Sequence, residues 1–366
     1  MSATARQWLD DIRALKLPPE KFRIMNVCGG HERSITMAGL RGALPANIEL
    51  IPGPGCPVCV CPKEDIYESI QIALNEDITL VAFGDMLRVP VNVGKNEIRT
   101  LEQAKAAGAD IRPVASPTEP VQLARDNPDT AVVFFATGFE TTTAPVAAML
   151  AQGVPDNLYV LLSGRLTWPA VAMLLESEQA GFQALVAPGH VATVMGGNEW
   201  KFIVEKYHMP AAIAGFSAES LLAAIYSTLR QIIENKPFLD NCYPELVRPE
   251  GNQTAQTHMH RVFDVVDANW RGVGIIPDSG FALNDTVRKH DARMRFPAYA
   301  DNARRRAGQM PPGCDCARVV LGRIYPNECR LYGKACTPRN PVGPCMVSDE
   351  GACRIWWAGG VRDSAA

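Results

Sequence analysis

Short apolar runs rich in β-branched and aromatic residues alternate with helix-like stretches over most of this chain of 366 residues. The alternation runs from Phe22 to about Ile233 and is typical of a parallel sheet with helical crossover connections. The runs that we predict as strands are FRIMNV, NIELIP, ITLVAFG, ADIRPVA, AVVFFATG, LYVLLSG, ALVAPG and AAIAGF. Functional residues are expected on the loops after these strands, because open α/β sheets build their sites at the carboxyl ends of strands.

The length of the chain and a break at Pro128 favour two sheets over one large sheet. We predict two parallel-sheet α/β domains, at residues 1–130 and 131–240, followed by a smaller cysteine-rich region at 241–366. From about Arg295 the chain is rich in Arg, Pro, Gly and Cys and has few periodic apolar residues. Such a segment seldom builds its own core, so a bound metal centre could supply the missing stability.

Charge and hydropathy exclude several classes of function. A formal net charge of −3 gives no basic surface for a nucleic acid, so no nucleic-acid partner is expected. The N-terminal residues carry acids and lack an unbroken apolar segment, and no later run reaches the roughly 20 apolar residues that span a bilayer. We therefore expect a cytoplasmic protein without a membrane partner. The sequence also contains neither a G-x-x-x-x-G-K-[ST] phosphate loop nor a G-x-S-x-G hydrolase motif.

The C-terminal region is dense in cysteine. The chain has 11 cysteines, and in a reducing compartment clustered thiols bind metal or carry out redox chemistry more often than they form structural disulfides. Six of them lie close together, at Cys314, Cys316, Cys329, Cys336, Cys345 and Cys353. Four thiolates suit either a tetrahedral zinc ion or a cubane iron-sulfur cluster.

The spacing favours iron-sulfur over zinc. The intervals from Cys316 onward are C-x12-C-x6-C-x8-C-x7-C, whereas structural zinc sites usually present paired knuckles of two to four intervening residues. Zinc and unligated thiols remain as alternatives, and the spacing does not identify which four cysteines would bind. The predicted fold class is accordingly α/β, with two parallel-sheet domains and a smaller cysteine-rich iron-sulfur region.

Two more thiol motifs follow the first two predicted strands. In VCGGHE, Cys28 stands at a glycine-rich turn beside His31 and Glu32, which could lower the thiol pKa or complete the shell of a metal ion. The alternative is a buried cysteine that only packs. In GPGCPVCVCP, Cys56 and Cys59 form a C-x2-C pair, which is either a redox-active pair or half of a zinc site.

Further polar residues occupy predicted strand ends. Glu140 in GFETTTAP starts a helix after a strong apolar strand, and the threonines that follow it could cap that helix or face a ligand. Asp85 in FGDMLRVP and His190 in APGHV hold equivalent strand-end positions. A single histidine at such a position is more often structural than a ligand.

Taken together, VCGGHE, GPGCPVCV, FGDMLRVP, GFETTTAP, APGHV and the terminal cysteine pattern ending in MVSDEGAC resemble the HypD family of hydrogenase maturation factors. The resemblance extends from about Phe22 to Trp357. It implies a [4Fe-4S] cluster and a role in assembling the Fe(CN)2CO unit of [NiFe]-hydrogenases. It also implies a HypC-type chaperone and the cyanide donor HypE as partners, with the hydrogenase large-subunit precursor reached through the chaperone.

The resemblance further implies roles for individual residues. Cys316, Cys329, Cys336 and Cys353 would be the cluster ligands. Cys28 would bind the transient iron that carries the CN and CO ligands, with His31 beside it, and Cys56 and Cys59 would be the redox-active pair.

Two other functions remain open. An iron-sulfur-dependent thiol-disulfide oxidoreductase would use the same Cys56 and Cys59 pair but would not require Cys28. A zinc-stabilised binding protein would have no redox role and is disfavoured by the cysteine spacing. Whether the assembly scaffold also turns over as an enzyme is left undecided by the sequence.

Overall fold

The computed structural model describes residues 2–94, 96–177, 181–300 and 310–362. Residues 301–309 and 363–366 of the predicted cysteine-rich region therefore lie outside the described residues. In the described ranges the fold is α/β, with two mostly parallel sheets, as the sequence predicts. All eight predicted strands are present. Among the helices described, none combines the length and the apolar composition that a membrane crossing requires.

The first sheet has the strand order β2-β1-β7-β8-β9, and every neighbouring pair in it is parallel. Its strands are β1 (Phe22–Asn26), β2 (Ile48–Pro52), β7 (Ala184–Pro188), β8 (Ala211–Ala214) and β9 (Leu239–Cys242). In the β1-β2 register Asn26 is paired with Pro52, so the loops that follow these two strands leave the sheet side by side.

The second sheet has the strand order β10-β11-β6-β5-β3-β4. Its strands are β3 (Ile78–Phe83), β4 (Ile111–Val114), β5 (Ala131–Gly138), β6 (Leu158–Arg165), β10 (Phe263–Trp270) and β11 (Gly274–Leu283). Strands β6, β5, β3 and β4 are parallel, whereas β11 pairs antiparallel with both β10 and β6. The central strand β5 is almost entirely buried, which explains its continuous apolar sequence AVVFFATG.

Helices cover the sheets and connect the strands. The α-helices are α1 (Ala3–Ala14), α2 (Gly29–Met37), α3 (Leu40–Ala43), α4 (Pro57–Val60), α5 (Lys63–Asn75), α6 (Leu101–Ala106), α7 (Thr118–Asp126), α8 (Glu140–Ala151), α9 (Thr167–Glu176), α10 (Gly189–Met195), α11 (Phe202–Glu205), α12 (Ala218–Glu234), α13 (Gln253–Val262), α14 (Ala292–Arg295), α15 (Cys316–Val320) and α16 (Ala352–Ala358). Short 3-10 helices occur at Gly84–Arg88, Gly197–Trp200, Arg288–His290, Pro326–Glu328 and Pro344–Met346.

The two sheets do not follow the predicted division of the sequence at residue 130. Strand β3 pairs with β5, so residues on either side of that position share one sheet. The first sheet likewise joins β1 with β7, a strand from the second half of the chain. The predicted C-terminal region also needs correction at its start, because β10 and β11 complete the second sheet. Local sequence patterns do not encode which distant strands pair, and this explains the difference.

The cysteine-rich region packs against the carboxyl ends of strands from both sheets. Its Trp356 donates a hydrogen bond through Nε1 to Glu32 Oε1, 2.6 Å away, on the helix that follows β1. On the other side, the guanidinium of Arg88, just after β3, donates to the carbonyl oxygen of Pro338 at 2.7 Å. The thiol-rich segment is thereby held beside the loops on which the sequence predicts function.

Candidate functional site

The turn that carries Cys28 packs directly against the loop that carries the C-x2-C pair. Cys28 is the N-cap residue of α2, and the backbone N–H of Gly29 donates to the carbonyl oxygen of Gly55 at 2.9 Å. A Cβ atom added to Gly55 would lie 2.4 Å from both the Cα and the backbone nitrogen of Cys28. Gly55 is therefore required for this close approach of two backbones.

Cys56 and Cys59 form a disulfide bond in the structure. Both residues are buried, and Cys56 caps the short helix α4, where its sulfur accepts a hydrogen bond from the backbone N–H of Cys59. Pro57 occupies the first turn of that helix and fixes the backbone between the two cysteines. A C-x2-C pair held in this way is a two-electron redox couple.

Cys28, the disulfide and the cysteine-rich region meet at one small cavity. Cys28, Cys56, Cys59, Cys345 and Glu350 are among its lining residues, and its volume is about 10 Å³. That volume is sufficient for about one water molecule. Three separate segments of the sequence therefore each place a cysteine at one small cavity.

The electrostatic surroundings of Cys28 differ from those that the sequence suggested. Desolvation raises the pKa of its thiol to about 12, although hydrogen bonding from the backbone N–H groups of His31 and Gly30 opposes part of the increase. The neighbouring carboxylate of Glu350 raises the pKa further. The prediction that nearby groups lower this pKa is wrong, because burial outweighs them. A thiol of this kind loses its proton when a cation such as a metal ion binds it.

His31 is fully buried behind Cys28. Its Nε2 lies 2.9 Å from the carbonyl oxygen of Ala214 at the end of β8, whereas its Nδ1 is buried and has no hydrogen-bond partner among the described residues. Burial lowers the pKa of His31 to about 4, so the ring is neutral at pH 7. A neutral imidazole with Nε2–H donated to a carbonyl keeps the lone pair of Nδ1 available as an acceptor or a metal ligand.

Glu32 holds the cysteine-rich region against α2. One carboxylate oxygen accepts hydrogen bonds from Asn26 Nδ2 at 3.0 Å and from Arg41 Nη2 at 2.7 Å. The other accepts from the indole of Trp356. The guanidinium of Arg41 also lies over the Trp356 ring, 5.0 Å from its centre. The geometry thus supports a positioning role for Glu32, because its acceptors are occupied by protein donors.

The cysteine-rich region gathers its thiols in one buried cluster. The implied ligands Cys316, Cys329, Cys336 and Cys353 are each 5–7% exposed and pack in a common core with the disulfide. The thiol of Cys353 interacts electrostatically with the other three, and Cys345 lies between Cys316 and Cys353. The set that the family resemblance implies is therefore brought together by the fold.

These thiols lie close to one another, but they are not arranged as the ligands of a metal ion. Sγ atoms of Cys314 and Cys316 are 3.4 Å apart, and the backbone N–H of Val342 donates to the sulfur of Cys336. Despite a hydrogen bond with the Cys345 thiol, burial raises the pKa of Cys353 to about 11. Within the described ranges, no three His, Cys, Asp or Glu side chains form a ready metal site.

Asp85 and His190 take different places around the site. Asp85 accepts a hydrogen bond from the backbone N–H of Asp349 at 3.3 Å and lines an open groove of about 630 Å³ with Glu350 and Thr137. This groove lies beside the cavity that contains Cys28, since Glu350 lines both. His190 is exposed, and its ring contacts Phe216, which also contacts the ring of His31.

Glu140 is a buried structural carboxylate at the start of α8. Its two oxygens accept hydrogen bonds from the backbone N–H of Thr167, at 2.6 Å, and from the Thr167 hydroxyl, at 2.7 Å. Burial raises the pKa of Glu140 to about 7. Burial and the charge of Glu140 raise the pKa of Glu199 as well. Glu140 joins α8 to α9 and does not line the cavity at Cys28.

The raised pKa of Glu140 makes the stability of the protein depend on pH. Because the folded chain binds the proton more tightly, this contribution is complete below pH 4.5 and is lost as the pH rises through 7. Its size is about 3 kcal/mol. We expect the difference in the free energy of unfolding, Glu140→Gln minus wild type, to increase by about 3 kcal/mol between pH 4.5 and pH 8. Urea unfolding at several pH values measures the difference, and a constant difference would contradict it.

Two residues that line the site are not evident from the sequence, and a third thiol nearby faces away from it. Cys345 has no role assigned from the sequence, yet it lines the cavity with Cys56 and Cys59, and its thiol hydrogen-bonds with those of Cys316 and Cys353. Glu350 stands in SDEGAC beside the implied ligand Cys353, and that proximity in sequence is the signal that could have identified it. Cys61, next to the C-x2-C pair, points away from the cavity toward Ser163 Oγ, 3.5 Å away.

A larger cavity elsewhere does not contain this chemistry. It has a volume of about 810 Å³ and is lined by Asp65, Arg165 and Arg293, beside the β10-β11 hairpin. Arg165 Nη2 lies 3.7 Å from Asp65, and Arg293 donates to the same carboxylate at 2.9 Å. Its lining holds four carboxylates and two guanidiniums, both of which lie near Asp65, and none of its lining residues is a thiol.

Comparison with known proteins identifies a single family. The HypD family model, described as "Hydrogenase formation hypA family", matches residues 3–360. Hydrogenase maturation factor HypD2 of Bradyrhizobium diazoefficiens is 39% identical over 363 residues, which cover 95% of this chain and 92% of the relative. HypD of Azotobacter vinelandii is 38% identical, with 99% of this chain and 96% of the relative covered. HypD of Escherichia coli K12 is 39% identical, with coverages of 94% and 91%.

Proposed function

Because this chain belongs to the HypD family of hydrogenase maturation factors, we propose that it is the iron-sulfur scaffold on which the Fe(CN)2CO unit of [NiFe]-hydrogenases is assembled. A role in hydrogenase maturation follows from membership of the family. We further assign iron binding and electron transfer to individual thiols of this chain. The iron that carries CN and CO is the substrate of this scaffold, and Cys28 is its ligand on this chain.

The observation that carries the proposal is the shared cavity of Cys28, the Cys56–Cys59 disulfide and Cys345. An iron held at Cys28 would lie next to a two-electron redox couple and beside the cysteine-rich region. The high pKa of Cys28 is consistent with this role, because a metal ion stabilises the thiolate that burial disfavours. His31 offers the unpartnered lone pair of Nδ1 on the same turn, as a second donor or a proton acceptor.

The dithiol form of the pair provides the electrons that cyanide release requires. A cyanide carried as a thiocyanate on a donor protein is released according to RSCN + 2 thiols → RSH + CN⁻ + disulfide + H⁺. The S–CN bond breaks, the S–S bond of Cys56 and Cys59 forms, and two electrons pass from the thiols to the departing group. In the structure the pair is already a disulfide, which corresponds to the state after this step.

The cysteine-rich region offers a [4Fe-4S] cluster four buried cysteines that pack in one core, and thiolates are the donors such a cluster takes. We assign Cys316, Cys329, Cys336 and Cys353 as its ligands. When bound, the cluster supplies single electrons that return the disulfide to the dithiol. Cys345 lines the cavity with the disulfide and interacts with the thiols of Cys316 and Cys353, so it lies on a route between the two sites.

The partners that we propose are a HypC-type chaperone, which shares the iron with Cys28 through a thiol of its own, and HypE as the source of cyanide. The large-subunit precursor would receive the completed unit through the chaperone. Access for these partners is available from the open groove at Asp85 and Glu350, which adjoins the cavity. The cavity itself has space for about one water molecule, so the loops around it must separate when a donor group enters.

The alternative function, a general thiol-disulfide oxidoreductase, is less compatible with the geometry. Such an enzyme would have no use for Cys28 at the same cavity, and this separates the two functions. Burial does not separate them, because Cys56 is 5% exposed and Cys59 2% exposed, so the surrounding loops must move in either case. Zinc in place of the cluster would leave the pair without a source of electrons.

Serine variants of the redox pair distinguish these functions. In cells that lack their own HypD, we expect Cys56→Ser and Cys59→Ser each to reduce hydrogenase activity to background, while the purified variants keep wild-type iron and sulfide. Cys61→Ser is the matched control, since its sulfur points away from the cavity. Full hydrogenase activity with either pair variant would contradict the proposed electron transfer. If the variants lost only the ability to reduce insulin disulfides, the oxidoreductase would be favoured.

A further inference from the structure

Arg271 is a buried cation whose hydrogen bonds are incomplete. The residue follows β10 at the tip of the β10-β11 hairpin and is 3% exposed. Its Nη2 donates to the carbonyl oxygen of Pro90 at 2.7 Å, and its backbone N–H donates to Val60 at 2.9 Å. Its Nε and Nη1 are buried, and neither has a hydrogen-bond partner among the described residues.

This arrangement is unfavourable unless an anion is present. Removing a charged group from water without a partner costs several kcal/mol, and a guanidinium remains charged at any physiological pH. The surrounding groups that act most strongly on the charge of Arg271 are the thiols of Cys316, Cys61, Cys314 and Cys345. The two nitrogens without partners, Nε and Nη1, therefore belong to a guanidinium that lies among thiols.

The backbone fixes Arg271 between the redox pair and the cysteine-rich region. Val60, which accepts from the backbone of Arg271, is the residue after Cys59. On the other side, Gly272 has a φ of +74°, and a Cβ atom added to it would lie 2.8 Å from the Cβ of Ala317, the residue after Cys316. The guanidinium is thus anchored by neighbours of both sites.

We propose that Arg271 is the counter-charge of the iron-sulfur cluster, with its free Nε–H and Nη1–H donating to sulfur atoms of the cluster or its cysteine ligands. This inference rests on the proposed function, because it requires a cluster at the four cysteines. A four-cysteine [4Fe-4S] centre is anionic and gains one more negative charge on reduction. A fixed cation and hydrogen bonds to sulfur favour the more negative state, so Arg271 raises the reduction potential of the cluster.

The test compares Arg271→Gln and Arg271→Lys with wild type, all purified without oxygen and analysed for iron and sulfide. Arg318→Gln is the matched control, because Arg318 lies two residues after Cys316 but its side chain is 58% exposed. Potentiometric titration followed by electron paramagnetic resonance gives the midpoint potential of each protein. At the wild-type midpoint, we expect the ratio of reduced to oxidised cluster to fall at least tenfold in Arg271→Gln, a shift of about 59 mV.

The lysine variant separates the charge from the hydrogen bonds. Arg271→Lys should retain most of the wild-type potential because it keeps the cation, and Arg318→Gln should retain all of it. If Arg271→Gln binds four iron atoms and keeps the wild-type reduction potential, this inference is overturned but the proposed function is not. Absence of iron and sulfide from the wild-type protein would overturn the proposed function and this inference with it.

A second measurement covers the case in which Arg271→Gln fails to retain a cluster. In protein stripped of metal, removal of this buried cation should leave the midpoint of urea unfolding unchanged or raise it, because relief of a charge whose Nε and Nη1 lack partners offsets the loss of the hydrogen bond from Nη2 to Pro90. A cluster-free Arg271→Gln that is as stable as wild type, together with an Arg271→Lys that holds its cluster, supports the counter-charge. A lower stability of the metal-free glutamine variant would overturn it, since Arg271 would then stabilise the fold without a cluster.

Discussion

Replacement of Cys28 by alanine should reduce hydrogenase maturation by at least about 100-fold. This reduction is larger than the one expected when a residue that only hydrogen-bonds to a metal ligand is removed. The sulfur of Cys28 is the one that α2 places at the cavity beside the disulfide, so its removal takes away the iron ligand that we assign to this chain. The cluster ligands are different residues, and the iron and sulfide content of the purified variant should equal that of wild type.

The comparison for this prediction is Cys242→Ala, because Cys242 lies at the end of β9 and does not line the cavity. Both variants lose one partly buried sulfur, and only Cys28→Ala should lose activity. Hydrogenase activity in a strain complemented with each variant is the measurement. Full maturation with Cys28→Ala would show that Cys28 is not the iron ligand, and it would favour the alternative function, a thiol-disulfide oxidoreductase.

Substitution of Gly55 by alanine should have the second large effect, although no sulfur is changed. The added Cβ would overlap the backbone of Cys28 at 2.4 Å, so the two loops must separate. Forced overpacking of this kind typically costs about 1–3 kcal/mol. It also moves Cys28 away from the disulfide, and we expect maturation to fall by at least about tenfold, because catalytic constellations tolerate little displacement.

Gly42→Ala is the matched control for Gly55→Ala. Gly42 lies in α3, and a Cβ atom added there has no other atom within 4 Å. Alanine in a helix interior is neutral or stabilising relative to glycine. Urea unfolding and complementation of maturation are measured for both variants. Equal activity of the two would indicate that the close approach of the loops at Gly55 is not required.

Much of the fold is predictable because its strands are buried and apolar. All eight predicted strands occur, since runs such as AVVFFATG lie in sheet interiors where both faces are covered. The strands β9, β10 and β11 were not predicted. Strand β10 exposes most of its residues, and β11 contains Pro277 and two glycines, so neither shows the apolar pattern of an interior strand.

The candidate site is only partly readable from the sequence. The motifs direct attention to Cys28, the C-x2-C pair and the terminal cysteines, which the fold brings close together, and the roles of these thiols stay predictions. The sequence does not indicate that Cys345 joins the two groups, nor that Arg271, 74 residues before it, lies among the thiols. Both depend on contacts between distant segments.

Burial also determines the hydrogen bonding of Glu32 and the pKa of Cys28, which the motif VCGGHE suggests wrongly. Glu32 stands beside Cys28 in VCGGHE, but its carboxylate is engaged by Asn26, Arg41 and Trp356. The pKa of Cys28 is raised by desolvation, although an imidazole stands three residues away. Desolvation depends on everything packed around a group, and no stretch of local sequence contains that information.

Chemical analysis with Mössbauer spectroscopy decides whether the cysteine-rich region holds the proposed [4Fe-4S] cluster beside the redox pair. The full chain is purified without oxygen, and iron, zinc and acid-labile sulfide are measured per chain. We expect about four iron atoms and four sulfides with the spectrum of a cubane cluster, all lost in Cys353→Ala. One zinc per chain with no sulfide would contradict it and would leave a metal-stabilised binding protein without an electron source.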